Sequence, residues 1–174
     1  LNVAPRVGGR YTYYSETEGG FVAQEADRWV FNTGIQTSFK LSRTWADRDF
    51  PLFESSGMRH VMEPSVNYVF VPSPNQRPTD LPQFDTTIPT LRLLPIDYPD
   101  YNSIDSVDSQ NTLRFGLRNT VQTKREGRTD TLFNWNLFTD WNIRHRPDQN
   151  TFSDIYSDFD FQPREWLTLT SENR

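Results

Sequence analysis

The side chains best suited to acid–base or metal chemistry are few in this chain and stand apart from one another. His60 and His145 are its only histidines, so a serine–histidine arrangement or a histidine metal site would have to use one of them. Both lie near the ends of predicted strands, and His145 sits between two arginines. Cysteine is absent, which excludes a thiol nucleophile, a cysteine zinc site and a disulfide within the chain. We therefore predict interfacial or solvated histidines, with no catalytic residue, metal site or cofactor.

Three aspartates form the one other arrangement that could do chemistry. Asp154, Asp158 and Asp160 share the parity of Tyr156 in a predicted strand. Asp158 and Asp160 would lie about 6.5–7 Å apart along the strand, so a catalytic pair of carboxylates is geometrically possible. No apolar pocket or charged partner that would tune such a pair is visible in the sequence. A hydrated polar lumen explains these aspartates as well, and we favour that interpretation.

The composition favours a folded chain that spans a membrane with strands if it spans one at all. Hydrophobic residues make up 34% of the chain, and its mean hydropathy is −0.75. Aromatic residues reach 14%, which is more than disordered segments contain. No apolar run approaches the roughly 18–20 residues of a spanning helix. The net charge of −5 and the scattered lysines and arginines argue against nucleic acid as a partner.

Alternation of apolar and polar residues, which is typical of a strand with one apolar face, dominates the sequence. Clear runs begin near Trp29, Thr112 and Phe133, and further strands are predicted over about 3–15, 58–71, 151–162 and 165–174. Many of these segments reach the roughly 9–11 residues that a tilted strand needs to cross a bilayer. The predicted fold is all-β: an antiparallel, up-and-down segment of a transmembrane β-barrel, with about seven strands in a curved open sheet.

The alternation also predicts which face of the sheet meets lipid. The apolar set should face outward, and it comprises Phe31, Ile35, Phe39, Leu113, Phe115, Leu117, Trp135 and Leu137. The polar set should face the lumen, and it comprises Lys40, Arg114, Arg118, Asn134, Asn136, Asp140, Asp158 and Asp160. Pro64 would remove a hydrogen bond from a regular strand, so we predict a bulge or a sheet edge there.

The connections between predicted strands differ in length, as outer-membrane barrels require. Tight or modest turns are predicted at 162–165 and 124–131, whereas residues 72–110 form one very long loop on the predicted extracellular side. This loop is rich in proline and aspartate and contains an apolar patch formed by Leu91, Leu93, Leu94 and Ile96. Such a patch is costly in water, so we predict that it covers another surface.

The segment Met58 to Pro72, MRHVMEPSVNYVFVP, resembles the LptD family, also called organic solvent tolerance or OstA proteins. The barrels of that family carry an L-E-P pattern followed by Y-x-x-V-P on a strand that enters a long extracellular loop. This chain departs from the pattern in having Met62 where leucine is usual. The flanking segments around Phe39–Asp49 and Ile104–Asn111 resemble the family too, with the Gln and Asn of the second one exchanged. The matching motif residues are Glu63, Pro64, Tyr68, Pro72 and Asp105.

The resemblance implies a non-enzymatic function in the outer membrane of a Gram-negative bacterium. Family members receive lipopolysaccharide from a periplasmic bridge of the LptA type and insert it into the outer leaflet among the outer-membrane lipids. A lipoprotein of the LptE type plugs the barrel, and the patch from Leu91 to Ile96 is the predicted contact. Residues 1–174 would then be a partial barrel domain. The N-terminal jelly-roll domain, the terminal barrel strands and the family's disulfide cysteines are absent from it.

Two other classes of protein remain as alternatives. A soluble carbohydrate-binding β-sandwich would explain the alternation and the tryptophans without a lipid. An outer-membrane lipase or protease would also be a barrel, although the sequence offers no motif for one. The need for detergent distinguishes the sandwich, and hydrolysis of a lipid or peptide reporter distinguishes the enzyme.

Overall fold

The computed structural model describes residues 1–15, 25–81, 84, 105, 107–144 and 150–173. All of its strands belong to one antiparallel sheet. The strands are β1 (Asn2–Tyr14), β2 (Ala26–Ser38), β3 (Leu41–Phe50), β4 (Ser55–Val71), β5 (Gln110–Arg125), β6 (Arg128–Asn142), β7 (Tyr156–Arg164) and β8 (Leu167–Asn173). The prediction of an all-β, antiparallel fold is confirmed. A two-layer sandwich would need a second sheet, and the described strands form none.

The strands follow one another in simple up-and-down order, with one apparent exception. Both β2 and β3 pair with β4, and their registers are continuous, since Ser38 lies opposite Ser65 and Leu41 opposite Met62. Therefore β2 and β3 are two parts of one long strand, and the sheet is a meander of seven such strands. The sequence analysis did not predict β3 as a separate strand. Its segment LSRTWADRDF has little alternation and contains a register shift between Trp45 and Asp49.

Pro64 marks the interruption between β2 and β3. The backbone N–H of Phe39 donates to the Pro64 carbonyl at 3.3 Å. The reciprocal bond cannot form because proline has no N–H. The prediction of a lost ladder bond is therefore confirmed, but the prediction of a bulge or an edge is wrong. Pro64 lies in central β4, opposite Leu117 of β5, with no register shift on either side.

Short turns close the end of the sheet away from the long connection. A 3-10 turn (Pro51–Phe53) joins β3 to β4, and Gly57 forms a bulge with a φ of 65°. Glu126 and Gly127 join β5 to β6, both with positive φ, as a two-residue hairpin turn requires. At the opposite end, the connection from β4 to β5 covers residues 72–109, in agreement with the predicted long loop.

No helix in the described part of the chain has the length and apolar character needed to cross a membrane.

Candidate functional site: a polar face closed at one end

The register gives the sheet one apolar and one polar face. Opposed residues share a face in an antiparallel ladder, so each predicted set can be followed from strand to strand. Phe115, for example, lies between Val66 and Thr139, whereas its neighbour Arg114 lies between Asn67 and Asp140. All members of the predicted apolar set fall on one face, and all members of the predicted polar set fall on the other.

Parts of the two faces show the reverse of the burial in a soluble sheet. Large apolar side chains are exposed, including Trp29 at 61% and Phe31 at 49%. On the polar face, by contrast, Arg28 is 1% exposed and Asp140 is 8% exposed. A soluble protein covers its aromatic residues and solvates its charges, so this sheet is built for apolar surroundings on one side and polar contents on the other.

Polar side chains form a connected network across the middle of the polar face. The Glu63 carboxylate accepts a hydrogen bond from Ser38 Oγ at 3.1 Å and lies 3.9 Å from both Lys40 Nζ and an Arg118 guanidinium nitrogen. Arg118 in turn donates to Asn136 Oδ1 at 3.3 Å. Three predicted residues (Lys40, Arg118 and Asn136) and the family-motif residue Glu63 thus form a continuous row from the junction of β2 and β3 to β6.

A second row of the network crosses the face closer to the long connection. Arg114 makes a bidentate contact with Asp140, at 2.7 and 3.1 Å, and its guanidinium lies over the Phe138 ring. On the far side of β2, Arg6 donates to Asn67 Oδ1 at 2.6 Å, and it can reach β4 because Gly34, its cross-strand partner, has no side chain. Bidentate and charge-assisted bonds of this kind fix side-chain positions on a wet surface.

Charge is divided between the two halves of this face. Its described cations lie on β1 to β5, apart from Arg164 at a hairpin turn, where it pairs with Glu54. Four of its described carboxylates lie on β6 to β8, whereas Glu63 on β4, Asp49 on β3 and Asp105 of the long connection lie among the cations. The cations are Arg6, Arg10, Arg28, Lys40, Arg59, Arg114, Arg118 and Lys124, and the four carboxylates are Asp140, Asp158, Asp160 and Glu172. The Arg114–Asp140 pair marks the boundary between a basic and an acidic half.

The described ends of the long connection fold onto the polar face. Asp105 is 4% exposed, and its carboxylate accepts hydrogen bonds from Tyr14 Oη at 2.5 Å and from the backbone N–H of Phe84 at 2.9 Å. The buried Arg28 donates to the backbone carbonyls of Asp105 and Val107. Asp105, which the family motif singled out, therefore ties the connection to β1 and β2.

Apolar contacts reinforce this attachment. Leu81 packs with Tyr14 and Ala26, and Val107 packs on a small cluster of three valines from β2 and β4. These valines lie on the polar face, so the loop covers the apolar residues that this face does carry. We call the contacts of Asp105, Arg28, Tyr14 and Leu81 the loop anchor.

Asn75 closes the edge of β2 where β4 no longer pairs with it. The Trp29 backbone N–H donates to Asn75 Oδ1 at 2.8 Å, and Asn75 Nδ2 donates to the Asp27 carbonyl at 3.0 Å. This side chain thereby takes the place of a neighbouring strand. A cavity of about 630 Å³ lies beside it, and its lining includes the family-motif residue Pro72.

A buried arginine joins the hairpins at the opposite end of the sheet. Arg125 donates to the Phe53 carbonyl at 3.1 Å and to the carbonyls of Gln162 and Pro163 at 2.7 and 2.9 Å. It also pairs with Asp130 at 2.7 Å. One side chain thus links the β3–β4, β5–β6 and β7–β8 turns. We call these contacts the hairpin clamp.

The remaining predicted site residues occupy scattered places. Tyr68 lies on the apolar face opposite Ile35, and Asp158 and Asp160 lie on the polar face opposite Asn136 and Asn134. Asp154 falls between β6 and β7 rather than in a strand. Leu91, Leu93, Leu94, Ile96 and His145 lie outside the described residues. Among those that are described, no group of three histidine or acidic side chains is arranged to hold a metal ion.

Sequence reasoning missed the loop anchor apart from Asp105, and it missed the hairpin clamp. Arg28 is separated from Asp105 by 77 positions and Tyr14 from it by 91, so no local spacing relates them. Arg125 binds mainly backbone carbonyls. Every residue type has one, so the sequence does not reveal which residues accept these hydrogen bonds. An arginine at a strand end next to a tight turn was the only available signal.

Long strands in meander order, with exposed aromatic residues on one face and buried charges on the other, define the chain as the wall of a β-barrel of the outer-membrane class. The family model described as LptD protein matches residues 11–170. The chain belongs to the LptD family, as its motifs predicted, and that family has a role in lipopolysaccharide transport and assembly in the Gram-negative outer membrane rather than in catalysis. No curated protein and no solved structure matches the chain.

Proposed function

We propose that this chain forms part of the wall of a lipopolysaccharide translocon, which receives lipopolysaccharide from the periplasmic bridge and inserts it into the outer leaflet. In this arrangement the apolar face contacts lipid and the polar face lines the lumen. The observation that carries the proposal is the reversed burial of the sheet, with Trp29 and Phe31 exposed while Arg28 and Asp140 are buried. Membership of the LptD family indicates that the substrate is lipopolysaccharide.

The open sheet must be completed by other strands before it can cross a bilayer. Strands β1 and β8 are the two edges of the sheet. Unpaired backbone N–H and C=O groups are not tolerated in the hydrocarbon region. Residues 1–174 would therefore serve as a partial barrel domain, closed by further strands and preceded by the jelly-roll domain that contacts the LptA-type bridge.

The long connection is the proposed contact for the plug lipoprotein of the LptE type. Its described ends lie on the polar face, held by the loop anchor, so the connection begins and ends against the proposed lumen. The patch formed by Leu91, Leu93, Leu94 and Ile96 is the part proposed to touch the plug. Apolar side chains of this kind favour a protein surface over water.

The division of charge gives the lumen a preferred path for an anionic saccharide. Lipopolysaccharide carries phosphate groups, which are attracted to Lys40 and Arg118 on the basic half and repelled by Asp158 and Asp160 on the acidic half. The acidic half would keep the saccharide from binding across the full width of the lumen. A one-sided track binds the substrate weakly enough for it to move.

Site-specific photo-crosslinking in cells tests the facing of the sheet. A photoreactive residue would replace Arg118 or Leu117, which are neighbours on β5 with opposite facing. We expect lipopolysaccharide adducts at position 118 and phospholipid adducts at position 117. Adducts at 118 should disappear when lipopolysaccharide supply to the bridge is stopped. Equal lipopolysaccharide capture at both positions, or none at 118, would contradict the proposal.

A further inference from the structure

The apolar face is interrupted at one level by a small polar group. Arg43 of β3 lies directly opposite His60 of β4, and His60 Nε2–H donates to Asn119 Oδ1 of β5 at 3.2 Å. These residues share a face with Leu41, Met62 and Val121. Away from the hairpin turns, Arg43 is the only cation that the described strands place on this face.

We propose that Arg43 and Trp45, beside His60, form a binding site for the phosphate of a phospholipid headgroup in the periplasmic leaflet. The proposal rests on the facing given under the proposed function. Arg43 is exposed, and its guanidinium lies 5.0 Å from the centre of the Trp45 ring. Stacking on the indole holds the guanidinium in place, and its remaining donors match a phosphate in geometry and charge.

The level of the site along the strands identifies the leaflet. The span from His60 to Phe70 on β4 corresponds to about 26 Å along the membrane normal, at about 3.4 Å per residue and a tilt of about 40°. That distance is close to the roughly 25 Å height of the apolar band in outer-membrane barrels. Phe70 lies beside the long connection, which is the extracellular end, so His60 and Arg43 lie at the periplasmic interface.

The surroundings favour a lipid over a free anion. Leu41 is 48% exposed next to Arg43 and offers a surface for acyl chains beside the cation. Tryptophan is the residue that membrane interfaces favour, and Trp45 is half-buried here. A headgroup phosphate that sits on Arg43 would bring its acyl chains onto the apolar residues of β4 and β5. A phosphate without acyl chains would gain only the ionic contact.

Lipid retention by the purified full-length protein tests the site. Native mass spectrometry would measure the binding of palmitoyl-oleoyl phosphatidylglycerol to the unchanged protein, to Arg43→Ala and to Arg59→Ala. Arg59 lies beside His60 on β4 but on the polar face, so it is a matched control for the loss of one cation. We expect Arg43→Ala to lower the affinity for the most tightly bound lipid by about tenfold, which is the effect of one charged hydrogen-bonding group. Arg59→Ala should leave this affinity unchanged. Arg43→Lys should give an intermediate affinity.

Equal lipid affinity in all variants would overturn the site. If the unchanged protein retained lipopolysaccharide more tightly than phosphatidylglycerol, and Arg43→Ala removed that difference, the assignment to phospholipid would be overturned. A loss of all lipid binding together with failed crosslinking at Arg118 would instead contradict the proposed function. If Arg43→Ala does not fold, the unchanged protein can be crosslinked to phosphatidylglycerol with a photoreactive headgroup. Labelling of residues 41–45 or 58–62 supports the site, and labelling confined to the long-connection end of the strands overturns it.

Discussion

Buried arginines hold the chain together at both ends of the sheet. Arg28 donates to two carbonyls of the long connection, and Arg125 donates to three carbonyls in two separate turns. The guanidinium group suits this task because it has five donors in a fixed plane and no acceptor that would need a partner. Lysine at either position could not bind carbonyls in several directions at once. A single-layer sheet has no core between two layers, so these arginine hydrogen bonds take over part of the task of holding its segments together.

The facing of single residues can be tested by introducing charge. We expect Phe115→Arg to destabilise the membrane-inserted protein by about 2–4 kcal/mol, because the arginine would face the hydrocarbon near its midplane. Thr120→Arg, on the polar face of the same strand, should cost much less. Urea unfolding in lipid bilayers measures both. Equal penalties at the two positions would show that the facing is wrong.

The Asp105 carboxylate should determine whether the long connection stays on the polar face. Asp105→Ala removes the acceptor for Tyr14 and for the Phe84 backbone N–H. We expect a local loss of about 1–3 kcal/mol, which is the cost of leaving such buried groups without partners. Protease added to the purified protein should then cut the connection faster while the strands remain intact. Asp80→Ala, at an exposed carboxylate of the same connection, is the control, and equal cleavage of both variants would contradict the loop anchor.

At the scale of the elements, the hairpin clamp fixes the relative positions of three turns. Arg125→Met removes all donors to Phe53, Gln162 and Pro163 while keeping an apolar stem. We expect a loss of about 2–4 kcal/mol, since several bonds to a charged donor disappear together. Thermal unfolding of the folded barrel, followed by heat-modifiable gel mobility, measures it. Arg128→Met, at an exposed position in the same hairpin, should have little effect, and similar losses for both would contradict the clamp.

The sequence predicted most strands because each one repeats a period of two over many residues. It missed β3, where Ala46 to Arg48 disturb the register and charged residues occupy both parities. It placed Pro64 at a bulge because proline is rare in central strands, but the long ladders on both sides of β4 maintain the register. Asp105 was identified only through a family motif. Its partners Tyr14 and Arg28 come from strands far away in the chain, where alternation carries no information about contacts.

For the whole molecule, the long connection should carry the contact to the plug lipoprotein. Deletion of about residues 80–100 from the full-length protein should weaken plug association and barrel assembly while the strands still form. Photo-crosslinkers at Leu91 and Leu94 provide the direct measurement. Capture of the plug protein supports this role. Capture of bulk lipid alone, or of nothing, would rule it out.

The order of the strands also determines how the sheet can assemble. Neighbouring strands are joined by short or moderate connections except β4 and β5, which are separated by residues 72–109. Each doubling of loop length adds about 0.6 kcal/mol to the entropic cost of closure. We therefore expect β1–β4 and β5–β8 to form as separate units that join last along the β4–β5 ladder. A chain halted before that step exposes two long unpaired edges, through which β-proteins aggregate, so the slowest step of folding is also the most hazardous one.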